Sequence, residues 1–161
     1  MTLGTALFLA FIVVQRLGEL VIARRNTARL LAEGAHEVGA GHYPVMVAMH
    51  SAWVAALILL GWNEVIHPVW LGLYAVLQVF RVWILATLGP RWTTRIIVTG
   101  TPLVARGPFR FIPHPNYALV VAEIIVAPMV LDLVWVAAVF TVLNALMLRH
   151  RIAVEDAAIR P

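Results

Sequence analysis

Apolar residues fall along this chain in long tracts, at 3–22, 43–62, 68–88 and 116–148, and polar residues gather between them. A helix on the surface of a soluble domain alternates apolar and polar positions with a period near 3.6, whereas these tracts are apolar on almost every face. The first three are each about 20 residues, enough for one bilayer crossing. The fourth is too long for one span and is broken by Pro128 and Asp132. A proline followed by a turn-forming aspartate predicts a helical hairpin with arms at 116–127 and 133–148, the first short for a full crossing.

The expected fold class is an all-α integral membrane protein, a single membrane domain over 1–161 with about five transmembrane helices. Composition agrees: 62% of the 161 residues are hydrophobic, 12% are charged and the mean hydropathy is +0.90. One small soluble core cannot hide that much apolar surface. The first tract contains Arg16 and Glu19 and lacks a basic leader and a small-residue cleavage site, so it reads as a retained helix and not as a cleaved signal peptide.

Charge then gives an orientation. Arg24, Arg25 and Arg29 lie in the segment 23–42, Arg91, Arg95, Arg106 and Arg110 in 89–115, and Arg149, Arg151 and Arg160 in the tail 149–161. The alternate connections carry only Glu64 and Asp132. Five crossings put all three basic segments on one face, which by the positive-inside rule predicts an outside N-terminus and a cytoplasmic C-terminus. The basic charge is therefore read as topology and headgroup contact, not as a nucleic-acid surface. The absence of cysteine excludes disulfides, thiolate metal sites and cysteine nucleophiles. The six histidines show no metal-binding spacing, so no metal is expected.

Polar residues inside the tracts are candidates for function. Arg16 and Glu19, three apart on one helix face, are either a mutually neutralised pair or a substrate contact. Arg81, with Gln78 one turn before it, lies near the basic end of its helix, where snorkelling to the interface is favoured over substrate contact. Glu123 sits in the short hairpin arm and must face protein or water, paired with an arginine or bound to a ligand.

The segment 89–115 is long and rich in glycine, proline and threonine. Ile96-Ile97-Val98 ahead of Thr99-Gly100-Thr101-Pro102 reads as a short extended segment and a turn. Next comes Gly107-Pro108-Phe109-Arg110-Phe111-Ile112-Pro113-His114-Pro115-Asn116-Tyr117, directly before a membrane helix that Pro115 is suited to begin. On its residues alone the segment reads first as a proline-rich helix entry, and the unpaired N–H groups at such a helix start also suit the carboxylate or ribose hydroxyls of a polar ligand.

This segment resembles the first motif of the isoprenylcysteine carboxyl methyltransferase family, matching at Gly107, Pro108, Phe109, Arg110, Phe111, His114, Pro115 and Tyr117. The family's second motif, after the last helix, is matched by Arg151, Ile152 and Glu155, with Asp156 and Ile159 as conservative replacements. Pro113 stands where the family usually has arginine, and Asp156 replaces a glutamate. The stretch from Arg16 to Asn26, together with His42 to Met46 and His50, resembles the bacterial branch, which includes O-methyltransferases of lipid-like polyketides such as alkylpyrones.

The resemblance implies S-adenosylmethionine bound at the cytoplasmic face by the segment 89–115 and the tail 149–161, and a lipophilic small-molecule acceptor reaching the site from the bilayer of a bacterial inner membrane. It implies cofactor contacts from His114, Asn116, Tyr117, Arg110 and Glu123. Arg151 is expected to place an anionic carboxylate or acidic enol or phenol, with Glu155 orienting it, and Arg16, Glu19 and Arg81 to line the acceptor's path. The competing readings are a membrane reductase of the steroid reductase type using NADPH, and a non-enzymatic membrane scaffold; the paired matches around His114 and Arg151 weigh against both.

Overall fold

The computed structural model describes residues 2–159, without the side chain of Ile159. Arg160 of the basic tail, and the Ile159 side chain of the second motif, lie outside the described residues. The chain forms α1 (Leu3–Ala32), β1 (His36–Val38), α2 (Tyr43–Gly61), α3 (Pro68–Leu88), β2 (Ile96–Val98), α4 (Pro115–Met129) and α5 (Val134–Ile159), with short 3-10 turns at Ala40–His42, Gly89–Arg91 and Gly107–Arg110. The helix starts follow from local chemistry. Thr2 caps α1 by accepting the Thr5 N–H at 3.1 Å, and α2, α3 and α4 each carry proline in the first turn, where its missing N–H costs nothing.

Among the described residues, four helices are long and apolar enough to cross a membrane. Residues such as Leu7, Val14, Val69, Val79, Trp135 and Leu146 point outward from them, as lipid-facing positions do. The 15 residues of α4 reach only about 22 Å, against a hydrocarbon core of about 30 Å. The expected α4–α5 hairpin is present. Pro128 lies at the end of α4, and Asp132 takes a left-handed conformation (φ 57°), which aspartate tolerates better than most residues.

Two boundaries differ from the hydropathy reading. The first helix does not stop at residue 22 but continues to Ala32, and the last runs past residue 148 to Ile159, so the supposed tail is helical. Hydropathy marks only where a helix leaves apolar surroundings; backbone hydrogen bonding continues beyond it. The extension of α1 is also held laterally, by Asn26 Nδ2 donating to the Trp92 carbonyl at 2.8 Å and Arg29 Nη2 to that of Pro90 at 2.6 Å. The extended segment 96–98 forms β2 and pairs antiparallel with β1, a partner that alternation in three residues could not announce.

The helices run alternately up and down. At one end Thr5 Oγ1 donates to the Glu64 carbonyl at 2.7 Å and His67 N–H to that of Val130 at 2.9 Å. Gly61 packs there so closely that a Cβ would sit 2.5 Å from Leu131. The two-stranded sheet and the arginine-bearing segments gather at the opposite, basic end. Between them lies a core of Phe8, Ile12, Trp53, Leu57, Tyr74 and Ile124.

A charged cluster ties α1, α3 and α4 together above that core. Glu123, fully buried on α4, accepts hydrogen bonds from Arg16 Nη2 at 2.7 Å, Arg81 Nε at 2.8 Å, Arg81 Nη2 and Gln78 Nε2 at 3.1 Å. Glu19 takes Arg16 Nη1 at 3.1 Å and Arg81 Nη1 at 2.9 Å, and Gln15 bridges Glu19 to Gln78. Arg81 therefore does not snorkel. Its side chain is 4% exposed and turned inward, because two carboxylates there replace the water it would otherwise seek.

Removing the Glu123 charge leaves the buried Arg81 and the half-buried Arg16 short of an anion. Glu123→Gln is expected to destabilise the protein by about 3–5 kcal/mol, while Glu64→Gln, at an exposed connection, shifts it by under about 0.5 kcal/mol. Thermal unfolding of both variants in detergent checks this, and equal midpoints would contradict it.

Candidate functional site

The basic end is built by the segment between α3 and α4 folding over the starts of α2 and α4 and the end of α5. Its first fixed point is Gly107, which adopts φ +57° and lies so close to α3 that a Cβ would sit 2.7 Å from Thr87 Oγ1. Both facts require glycine. The Gly107–Arg110 turn then leads to Pro115, in the first turn of α4.

At the start of α4, His114 stacks on Tyr117 with ring centres 5.2 Å apart and planes 15° from parallel. Its Nε2 lies 3.2 Å from Asp156 Oδ1 and its Nδ1 4.0 Å from Glu155 Oε2, both on α5. The Tyr117 hydroxyl donates to Glu155 and accepts from Arg151 Nε at 2.8 Å. Arg151, buried, also donates from Nη2 to the Thr94 carbonyl at 2.7 Å, and its Nη1 points at the Met46 sulfur. The two motifs are thus joined side chain to side chain, and Asp156 does so through His114. The sheet is locked beside them by Arg95, which pairs with Glu37 at 2.8 Å and covers the Tyr43 ring.

Two cavities meet at this junction. The inner one, about 380 Å³, lies among the membrane helices; Arg16, Glu19, Arg81 and Arg151 supply its charged lining, with His50 and Asn144 beside them and mostly apolar walls. It reaches Leu17 and Val47, exposed on the lipid-facing sides of α1 and α2. The outer one, about 340 Å³ and more polar, is lined by Arg91, Thr99, Pro113, His114 and Glu155 among others. Trp92, Thr93, Asn116 and Tyr117 line both and form the wall between them. In that wall Asn116 Oδ1 and Trp92 Nε1 are buried without a protein hydrogen-bond partner, one acceptor and one donor left for a ligand.

The structure brings His114, Asn116, Tyr117, Arg151 and Glu155 to this junction and Arg16, Glu19 and Arg81 to the inner cavity. Two expected cofactor contacts fall elsewhere. Arg110 is exposed and lies over the Phe111 ring, lining neither cavity. Glu123 lines neither cavity, because its carboxylate is enclosed by Arg16, Arg81 and Gln78. Trp92 and Asn144 were not anticipated. Asn144 had a visible signal, an amide within an apolar tract; Trp92, beside a proline and an arginine in a loop, had none. Among the described residues no cluster of three or more histidine or acidic side chains could hold a metal ion.

A model of the isoprenylcysteine carboxyl methyltransferase family matches residues 70–161. That region contains the whole outer cavity and the wall. The chain is also similar to uncharacterized protein YpbQ of Bacillus subtilis (strain 168), 38% identical over 160 residues that cover 96% of this chain and 95% of that protein. No solved structure matches.

The close approach at Gly107 gives a direct check on how this segment is held. Gly107→Ala combines a left-handed backbone with a clash and is expected to cost about 1–2 kcal/mol or more. Hydrogen exchange across 103–113 should rise in the variant, and unchanged protection would show that the turn tolerates a side chain.

Proposed function

The chain belongs to the isoprenylcysteine carboxyl methyltransferase family, and from that premise we propose that it is an S-adenosylmethionine-dependent O-methyltransferase acting on a lipophilic carboxylate, enol or phenol from the bilayer. One observation carries the reading: a polar cavity and an apolar, lipid-reaching cavity share a single wall at the two joined motifs. A water-soluble cofactor and a greasy acceptor need such separate approaches to one point.

The residues of the outer cavity fit the cofactor. Arg91 is a cation for its carboxylate, Glu155 an anion for its amino group or an acceptor for its ribose, and His114 and Tyr117 give a stacked ring surface. The unpaired Asn116 Oδ1 and Trp92 Nε1 supply complementary acceptor and donor positions in the shared wall. When bound, the cofactor supplies a methyl group on a positively charged sulfur.

The chain's own part is alignment and exclusion of water, since in-line displacement needs no covalent nucleophile. Arg151, held by Tyr117 and Thr94, offers positive charge on the acceptor side of the wall. Glu155 is a positioning residue. Through the Tyr117 hydroxyl it fixes the tilt of Arg151 from the cofactor side. Arg16, Glu19 and Arg81 end the acceptor cavity as a polar floor that Glu123 behind them neutralises. The arginine-rich end corresponds to the cytoplasmic side by the positive-inside rule, giving an outside N-terminus in a bacterial inner membrane.

Calorimetric titration of detergent-purified protein with S-adenosylmethionine tests the reading. Saturable binding by wild type is expected, lost in His114→Ala and retained in Arg151→Ala, which instead abolishes methyl transfer. A well-folded wild type that does not bind the cofactor would sink the proposal.

A further inference from the structure

His50 and Asn144 are polar side chains that line the inner cavity beside its charged residues. His50, on α2 one turn beyond Met46, has its ring Nδ1 2.9 Å from the Met46 carbonyl oxygen. A carbonyl only accepts, so Nδ1 carries the proton and Nε2 keeps a lone pair. Nε2 makes no hydrogen bond to the described residues, and His50 lines the inner cavity. Asn144, on α5 two turns before Arg151 and on the same helix face, is 4% exposed, lines the same cavity and makes no hydrogen bond to the described residues. Buried polar groups are ordinarily paired, so a lone proton acceptor and a lone amide on one cavity wall call for a ligand that supplies their partners.

The cations of this cavity are, by contrast, mostly engaged, with the Nε of Arg16 the one guanidinium nitrogen among the described residues that is buried without a partner. Arg16 and Arg81 share Glu19 and Glu123, and Arg151 directs its N–H groups at Tyr117, the Thr94 carbonyl and the Met46 sulfur. Apart from the buried Arg16 Nε, a carboxylate acceptor would have to displace one of these partners. A neutral hydroxyl brings the donor that His50 Nε2 lacks.

We propose that His50 is the base that takes the proton from a neutral, lipophilic acceptor of the enol or phenol class, with Asn144 hydrogen-bonded to a second polar atom of that acceptor. The inference rests on the methyltransferase reading and narrows its acceptor from carboxylate or hydroxyl to hydroxyl. In the step, the acceptor O–H bond breaks and its proton passes to His50 Nε2. The oxygen's electron pair forms the new O–C bond to the methyl carbon, and the methyl–sulfur bond breaks with its pair remaining on sulfur. A neutral hydroxyl, a neutral imidazole and a sulfonium thus become an ether, an imidazolium and a thioether, and one positive charge is conserved. The imidazolium returns its proton to water once product leaves. Of the charged groups lining the cavity, Arg16, Glu19, Arg81 and Arg151, it is Arg151 that touches Met46, one turn from His50, and stabilises charge developing on the oxygen.

The test uses the full chain in detergent with three probes: meta-pentadecylphenol, its para-nitro derivative, and hexadecanoate, assayed at mildly alkaline pH where the nitrophenol is already ionised. Wild type is expected to methylate both phenols and to leave hexadecanoate unmodified. His50→Ala should lose about 10²–10⁴-fold on the plain phenol and less than about tenfold on the nitrophenol, which needs no base. Calorimetric binding of S-adenosylhomocysteine, unchanged in the variant, reports an intact fold; if it is lost, His50→Asn is read by the same ratio. Independently of turnover, the Nε2 nitrogen resonance of histidine-labelled wild type should move when the plain phenol is added without cofactor. Equal losses on both phenols, no loss on either, preference for hexadecanoate, or methylation of neither phenol by wild type that binds S-adenosylhomocysteine would each overturn the proposal. Wild type that binds no S-adenosylhomocysteine would instead bring down the methyltransferase reading, and this inference with it.

Discussion

A carboxylate inside the membrane must be matched by charge and hydrogen bonds, and the rest of this architecture depends on how Glu123 meets that demand. Glu123 is fully buried, so its partners have to come from neighbouring helices: Arg16 from α1, Arg81 and Gln78 from α3. Both arginines in turn need a second anion, which Glu19 provides. The set is neutral as a group, and three of its members, Arg16, Glu19 and Arg81, also line the inner cavity. It fixes α4 against α1 and α3, and thereby fixes where the start of α4 stands relative to the cavity beneath it.

The shortness of α4 is the second constraint. A helix of full membrane length would bring its first turn to the level of the other basic-end termini. At 15 residues, α4 leaves room over which the segment from α3 can fold back. The Gly107 approach to Thr87 anchors that fold, and the outer cavity forms between the segment and the end of α5. Because α5 continues to Ile159, it presents Arg151 to the inner cavity and Glu155 to the outer one from successive turns of one rigid element. The chain from Arg151 through Tyr117 to Glu155, with His114 held between Glu155 and Asp156, links side chains that line the two cavities.

The sequence by itself determined which segments form the apolar helices, the hairpin at Pro128 and Asp132, the extended stretch at 96–98 and the segregation of arginine to one end. These follow from short-range physics: the transfer free energy of apolar side chains, proline's missing donor, and turn chemistry. The two motifs were legible as well, and their residues meet as side chains at the start of α4.

What only the tertiary structure decided are matters of which faces meet. Arg81 was better placed to snorkel, judged by its own helix, until Glu19 and Glu123 arrived from other elements; Arg16 and Glu123 are separated by 107 positions and touch at 2.7 Å. Arg110 lies within a matched motif, yet the Gly107–Arg110 turn sends its side chain outward to Phe111, since sequence spacing fixes distance along the backbone but not direction off it. Helical continuation of α1 and α5 past their apolar tracts, the pairing of β1 with β2, and the wall of Trp92, Thr93, Asn116 and Tyr117 depend on contacts between segments far apart in the chain. Such contacts leave no periodicity in a single sequence, because each is settled by the packing of the whole bundle.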